Sequence, residues 1–193
     1  MRIISGKWRG RKIAWPAHGG TRPLPDALRE TLFNILGSIY AAPGVLPPLH
    51  VADVFAGSGS IGIEALSRGA ASCVFFENDR RALAVLRKNL DALQVGSEAA
   101  LVATDAWRAR LTREDGGAFD LVFLDPPYVD ARDTSLAGPV PRLLERLAVT
   151  AAASARVVLH HEREIAYPLR HGSGWRCEDR RQIGSHAITL FCR

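Results

Sequence analysis

Between residues 50 and 160 short apolar runs alternate with helical stretches, and this alternation constrains the fold more than any other feature of the chain. Strands are predicted at 50–55, 72–76, 99–103, 119–124 and 156–160. Each is apolar and too short for a helix. Helices are predicted at 27–40, 63–68, 80–93 and 143–149. In the first, Leu28, Leu32, Ile35, Leu36 and Ile39 recur at helical spacing behind Asp26 as N-cap. In the third, Leu83, Leu86, Leu90 and Leu93 mark the buried side. Strands separated by helices pair in parallel through crossovers. Two later strands, near Trp175 and at 187–191, suggest a terminal antiparallel hairpin. The expectation is an α/β fold, a doubly wound, mainly parallel, seven-stranded sheet over residues 26–193. A basic N-terminal β-hairpin and linker, residues 1–25, precedes it.

The 193 residues suffice for one domain with a proper core, and 47% hydrophobic residues with mixed charge mark a globular chain. No run has the length of a membrane span, and the N-terminus lacks the apolar stretch of a signal peptide. Cys73, Cys177 and Cys192 are odd in number and far apart, without metal-ligand spacing, which suits reduced thiols in a cytoplasmic protein. The charge of +5 is unevenly placed. Arg2, Lys7, Arg9, Arg11, Lys12 and Arg22 all precede the first acid, Asp26, leaving 19 basic and 20 acidic side chains in the remainder. A basic arm with Trp8 and Trp15 interleaved fits a nucleic-acid partner, the cations holding phosphates and the rings stacking on bases or pinning the arm.

Four strand ends carry the candidate chemistry. Gly57-x-Gly59-x-x-Gly62 follows the first strand and opens a helix, a loop whose backbone a ligand can approach. Asp53 lies just before it and could order the loop or meet a cationic amino group through water. Glu77 ends the second strand, 24 residues after Asp53, where an acid can accept both hydroxyls of a ribose. This much equally fits a nicotinamide or flavin nucleotide. Asp105 follows the third strand and can accept from an adenine amino group. Asp125-Pro126-Pro127-Tyr128 follows the fourth, two prolines ending the ladder and stiffening a loop that carries an acid, a carbonyl and a ring. Such a rim of acids would repel a pyrophosphate and suits a sulfonium with an amino-acid tail, S-adenosylmethionine.

From Asp53 through Tyr128 the chain resembles the class I S-adenosylmethionine-dependent methyltransferases. More closely, it resembles the RsmD family of bacterial 16S rRNA guanine-N2 methyltransferases. The resemblance covers the start, Arg2-Ile3-Ile4-Ser5-Gly6-x-x-Arg9-Gly10-Arg11, and the segment Arg22-Pro23-x-x-Asp26-x-x-Arg29-Glu30-x-Leu32-Phe33-Asn34. It extends to Phe55-Ala56-Gly57-Ser58-Gly59, to Glu64-Ala65-Leu66-Ser67-Arg68-Gly69-Ala70 and to the Asp125–Tyr128 tetrapeptide. It implies methyl transfer to the exocyclic N2 of a guanine in the helix 31 loop of 16S rRNA. The partner is the small ribosomal subunit or its assembly intermediate, with no metal and no membrane. Asp125, Pro126 and Tyr128 would be catalytic, and Asp53, Gly57, Gly59, Glu77 and Asp105 would bind the cofactor. Arg9, Arg11, Arg22, Arg29 and Asn34 would meet RNA or close the pocket. The family's tyrosine before a glycine near the C-terminus is missing from Gln182-Ile183-Gly184-Ser185-His186, so no role carries over there.

The rival readings are a DNA adenine-N6 methyltransferase, for whose target-recognition insertion this chain has no room, a nicotinamide-dependent oxidoreductase, and a non-enzymatic RNA-binding protein. Neighbouring His160 and His161 face opposite sides of a strand and make a poor metal pair, so a structural or solvated role is expected. His186 has no assigned role. Arg80-Arg81 and Arg180-Arg181 read as solvated faces.

Overall fold

The computed structural model describes residues 1–16 and 24–193. Arg22 and most of the expected linker lie outside the described residues. Twelve elements follow in order: α1 (Asp26–Ile39), β1 (His50–Val54), α2 (Ser60–Ser67), β2 (Ser72–Glu77), α3 (Arg80–Leu93), β3 (Ala99–Ala103), β4 (Phe119–Leu124), α4 (Tyr128–Ala131), α5 (Pro139–Thr150), β5 (Ala151–Glu162), β6 (Arg176–Ile183) and β7 (His186–Cys192). The strands form one seven-stranded sheet in the order β3-β2-β1-β4-β5-β7-β6. The first five are parallel, and β7 runs antiparallel to both β5 and β6. The sheet is the doubly wound one expected, closed by the antiparallel hairpin.

Alternation along the strands divides the core in two. Val51, Cys73, Phe75, Leu121, Phe123 and Val158 face α1, α2 and α3. Ala52, Val54, Val74, Phe76, Val122 and Leu159 face α4 and α5. Burial on both faces is what makes these strands read as continuous apolar runs. Strand order reverses between β1 and β4, and ligands of open α/β sheets bind at the carboxyl ends beside such a reversal.

Toward the N-terminus two expectations change. Asp26 is the first helical residue of α1 rather than its cap; Pro25 stands at the N-cap without a side-chain bond. The N-terminal hairpin is reduced to one isolated antiparallel bridge, Arg2 with Lys12. Gly6 and Gly10, both with φ of 81°, turn the chain too sharply for a longer ladder. The arm is nonetheless part of the core, with Ile3 and Ile13 buried in the cluster beneath α1, α2 and α3.

Among the described residues no helix is long and apolar enough to cross a membrane, and no group of three or more His, Cys, Asp or Glu could hold a metal ion. The cysteines are free, Cys73 and Cys192 buried and Cys177 exposed.

Candidate active site

The glycine loop is built on two carboxylates. Asp53 is 1% exposed, and its Oδ2 accepts the Gly62 N–H at 2.8 Å. Burial pushes its pKa up to about 8, helped by the negative charge of Asp125 and Glu77 nearby. Asp53 therefore orders the loop from beneath and offers a ligand no surface, which corrects the expectation of cofactor contact. Gly62 has no room for a side chain: a Cβ would stand 2.9 Å from Asp53 Oδ2 and 2.7 Å from Cys73 Sγ. Glu77 holds the other end of the loop. Its Oε2 accepts from Gly57 N–H, and its Oε1 from Asn78 and Asp79 N–H, each at 2.8 Å. A carboxylate has about four acceptor positions, so one remains for a hydroxyl. Gly57 and Gly59 lie in the left-handed region, as does Phe55 at φ 64°, a costly conformation for a non-glycine residue. It lets the Phe55 and Ala56 amides converge on Phe76 O, at 3.0 and 3.1 Å.

Asp105 stands beyond β3 and caps its own turn, accepting from Trp107 N–H at 3.0 Å, with Arg108 Nε at 3.5 Å. Trp107 packs on Phe55 with ring centroids 4.6 Å apart and donates its indole N–H to Asp130 Oδ2 at 3.2 Å. Arg146 from α5 pins the same turn through Ala106 O and Trp107 O. The hollow beside Asp105, about 480 Å³, is lined by Trp107, Asp130, Arg142 and Arg146.

β4 delivers Asp125 to the reversal beside β1, the Asp125 amide lying 3.4 Å from Val54 O. The Asp125 side chain keeps 27% exposure, and its Oδ1 lies 2.7 Å from His160 Nδ1. Oδ2 has no partner among the described residues. His160 Nε2 lies 3.0 Å from His186 Nδ1, which lies 2.9 Å from the Tyr128 hydroxyl. Where the Asp125 carboxylate accepts, His160 Nδ1–H donates and its Nε2 accepts from His186 Nδ1–H, a single proton that the Tyr128 hydroxyl oxygen shares as second acceptor. Burial, with His160 alongside, holds His186 below the ordinary imidazole range. The hydrogen-bonded chain thus ties the acid and the ring of the tetrapeptide to the sheet.

The histidine expectation is half corrected. His161 is structural, its Nδ1 donating to Glu162 O and its Nε2 accepting from Thr189 Oγ1, both at 2.8 Å. His160 is neither solvated nor merely structural, since it holds Asp125. His186 joins it because β7 starts at the end of the sheet where β4 and β5 finish, with Glu162 opposite His186. Two adjacent histidines at a strand end were the sequence signal for one of these residues; nothing in the sequence pairs His186 with them.

Arg29, expected to meet RNA or close the pocket, does neither. It is 0% exposed, and donates to Arg2 O at 2.5 Å, Asp26 Oδ1 at 3.1 Å and Met1 Sδ at 2.6 Å, with Nε 3.9 Å from Glu64. The buried stripe of α1 is Leu28, Arg29, Leu32, Phe33 and Leu36, rotated from the predicted one because the arm covers that side. Asn34 is exposed and lines a groove of about 640 Å³ with Ser38, Arg181 and Gln182, a groove to which none of the rim acids contributes. Arg9 and Arg11 are exposed on the arm. Trp15 approaches the glycine loop, its ring 3.9 Å from where a Gly57 Cβ would stand. Asn89 joins the two: it exchanges hydrogen bonds with Ala14 N–H and O, and donates to Ser58 O at 2.9 Å. The pattern of α3 marks position 89 as buried, but its partners come from elsewhere in the fold.

A family profile described as "Conserved hypothetical protein 95" matches residues 1–192. The Ribosomal RNA small subunit methyltransferase D of Escherichia coli (strain K12) is 44% identical over 66% of this chain and 60% of its own length. Bacillus subtilis YlbH, provisionally named an rRNA methyltransferase, is 35% identical over 87% of this chain and 86% of its own. The solved structure of Escherichia coli yhhF superposes with a TM-score of 0.77 at 34% identity, over 100% of this chain and 97% of that one.

Proposed function

Since the chain belongs to the RsmD family of class I methyltransferases, we propose that it methylates the exocyclic N2 of one guanine in 16S rRNA, in the helix 31 loop. The observation that carries this reading is Asp125. It is a partly exposed carboxylate at the sheet's reversal, with one oxygen held by His160 and the other without a partner among the described residues, on the loop that bears Tyr128.

The residues present fit S-adenosylmethionine. Gly57 has an open side where a side chain would stand, Glu77 keeps one acceptor position, and Asp105 is a partly exposed acid just beyond β3. Gly57 and Gly59 would take the cofactor's backbone contacts, Glu77 the ribose and Asp105 the adenine. When bound, the cofactor supplies an electrophilic methyl on sulfur, an already good leaving group.

The protein's part is orientation and electrostatics. A guanine amine is a weak nucleophile because its lone pair is delocalised into the ring. The Asp125 carboxylate and Pro126 carbonyl accept the two amine hydrogens, favour a more tetrahedral nitrogen and aim its lone pair. Asp125 can take the proton the amine sheds. Tyr128, tethered through its hydroxyl to His186, offers its ring to a base drawn out of its stack, which is easier in a loop than in a duplex. The exposed cations Arg9 and Arg11 bind phosphate.

The test is transfer of labelled methyl to unmodified small ribosomal subunits, with the product nucleoside identified. N2-methylguanosine at one position, lost with Asp125→Ala while cofactor binding persists, is expected. Methyladenine in DNA, or no transfer to any nucleic acid, would overturn the reading.

A further inference from the structure

Among the described residues, the tip of the arm with Lys7, Arg9 and Arg11 lies away from the rim. The arm's tip is fixed to the far end of α2, where Lys7 N–H donates to Ser67 O at 2.8 Å and Trp8 N–H to Ser67 Oγ at 3.1 Å. α2 leads away from the glycine loop, so its eight residues put ~12 Å between loop and tip. Arg11 is tied to the corresponding end of α3, its Nη2 donating to Ala92 O at 2.5 Å. α3 starts just past Glu77 and also leads away from the rim, over 14 residues or ~21 Å.

The exposed face of α3 spans this distance. At 100° per residue Arg80, Arg81, Ala84, Arg87, Lys88 and Asp91 fall in one stripe, opposite the buried Leu83, Leu86, Asn89 and Leu90. Arg80, Arg81, Arg87 and Lys88 have no side-chain partner among the described residues, and neither do Arg9 and Lys12. Cations elsewhere are commonly paired: Arg113 with Asp115, Arg132 with Glu162, Arg156 with Glu178, Arg170 with Glu145. Two of these cations also oppose the helix, since Arg80 and Arg81 occupy the first turn, where the macrodipole disfavours positive charge. Helix stability does not account for cations so placed; a polyanion laid over them would.

We infer that this face of α3 is a track for the RNA backbone, joining the arm to the catalytic rim. The inference rests on the rRNA reading and names the path the substrate takes. A strand whose guanine enters at Asp125 crosses the N-terminal turn of α3 at Arg80 and Arg81. It then follows Arg87 and Lys88 down to Arg9 and Arg11. At ~3.4 Å per stacked nucleotide, ~21 Å accommodates about six phosphates. The contacts are to phosphate, so the track sets register and affinity and leaves the choice of base to the pocket.

The test compares binding of unmodified small ribosomal subunits across a potassium chloride series for the wild type and three double variants. Arg87→Ala/Lys88→Ala lies mid-helix, away from the loop residues. Arg9→Ala/Arg11→Ala removes arm charge. Arg163→Ala/Arg170→Ala removes the same charge from surface positions outside the track. The α3 variant is expected to bind about tenfold more weakly near 0.15 M salt. Its log–log salt slope should be shallower by about 1.4–1.8, since each phosphate contact contributes about 0.7–0.9. Its S-adenosylmethionine affinity should stay unchanged, because neither residue borders the glycine loop. The Arg163/Arg170 control should keep the wild-type slope. An unchanged slope in the α3 variant, with a shallower one in the arm variant, overturns the track and leaves the rRNA reading standing. Wild-type binding with no salt dependence overturns both.

Discussion

Asp125 has two carboxylate oxygens, and the fold commits one of them to His160. The partner fixes the rotation of the carboxylate, which decides where Oδ2 points and, on the proposed function, where the guanine amine would be held. Replacing His160 with leucine removes the donor and lets the carboxylate turn toward water. The methyl-transfer rate is then expected to fall on the order of 10- to 100-fold, the cost of a small misplacement of reacting groups. Cofactor affinity should hold, because neither His160 nor Asp125 supports the glycine loop. His160→Asn restores a donor near the Nδ1 position and should recover most of the rate. Single-turnover rates on unmodified subunits would settle it; a leucine variant at wild-type speed would show that the hydrogen bond does nothing for transfer.

Among the elements, the junction of α1, α2 and the arm is held by buried charge. Glu64 on α2 accepts from Ile4 and Ser5 N–H, at 2.8 and 3.0 Å, and from Arg68 Nε at 2.8 Å, with Arg29 of α1 beside it. Burial lowers the pKa of Arg29, opposed by Asp26 and Glu64. Removing one partner from buried ionic clusters costs more than the pair contributes, because the remaining groups keep their desolvation. Arg29→Met should therefore lower the unfolding free energy by about 3 kcal/mol in urea titrations. The affinity of the folded variant for RNA should match the wild type. A variant of wild-type stability with weakened RNA binding would return Arg29 to the interface.

For the whole molecule, Asp53 couples the glycine loop to pH. The folded chain keeps its proton up to about pH 8, whereas an unfolded aspartate releases it near ~4. The folded state binds the extra proton between these values, so this contribution to stability is full below ~4 and is lost as pH rises to 8. A carboxamide in its place has no proton to titrate. Asp53→Asn should therefore gain on the wild type as pH rises, by more than ~1 kcal/mol between pH 5 and 8. Urea unfolding at the two values measures this, and a difference that does not change with pH would mean that Asp53 is ionised in the fold. His161 works in the opposite sense. Burial holds its pKa down to about 4, so its contribution is lost as pH falls from 6.5.

The elements and the rim were legible in the chain's local pattern. Strands buried on both faces are continuous apolar runs, and helices such as α3 carry their buried leucines at fixed intervals; both are local periodicities that need no partner. Parallel crossovers then force the carboxyl ends of β1 to β4 onto one side, so Glu77, Asp105 and Asp125 could be read as one rim from order alone. Which polar groups see solvent was a matter of packing. Asp53 sits at the same strand end yet is sealed beneath Gly62, and Arg29 is charged yet buried, because burial depends on what packs over a residue. His160 and His186 meet because β7 enters the sheet between β5 and β6. The arm and α3 form one basic face because Asn89 and Ala92 receive a segment some 75 to 81 residues earlier in the chain. Such contacts depend on chain topology, and no local pattern of residue types encodes them.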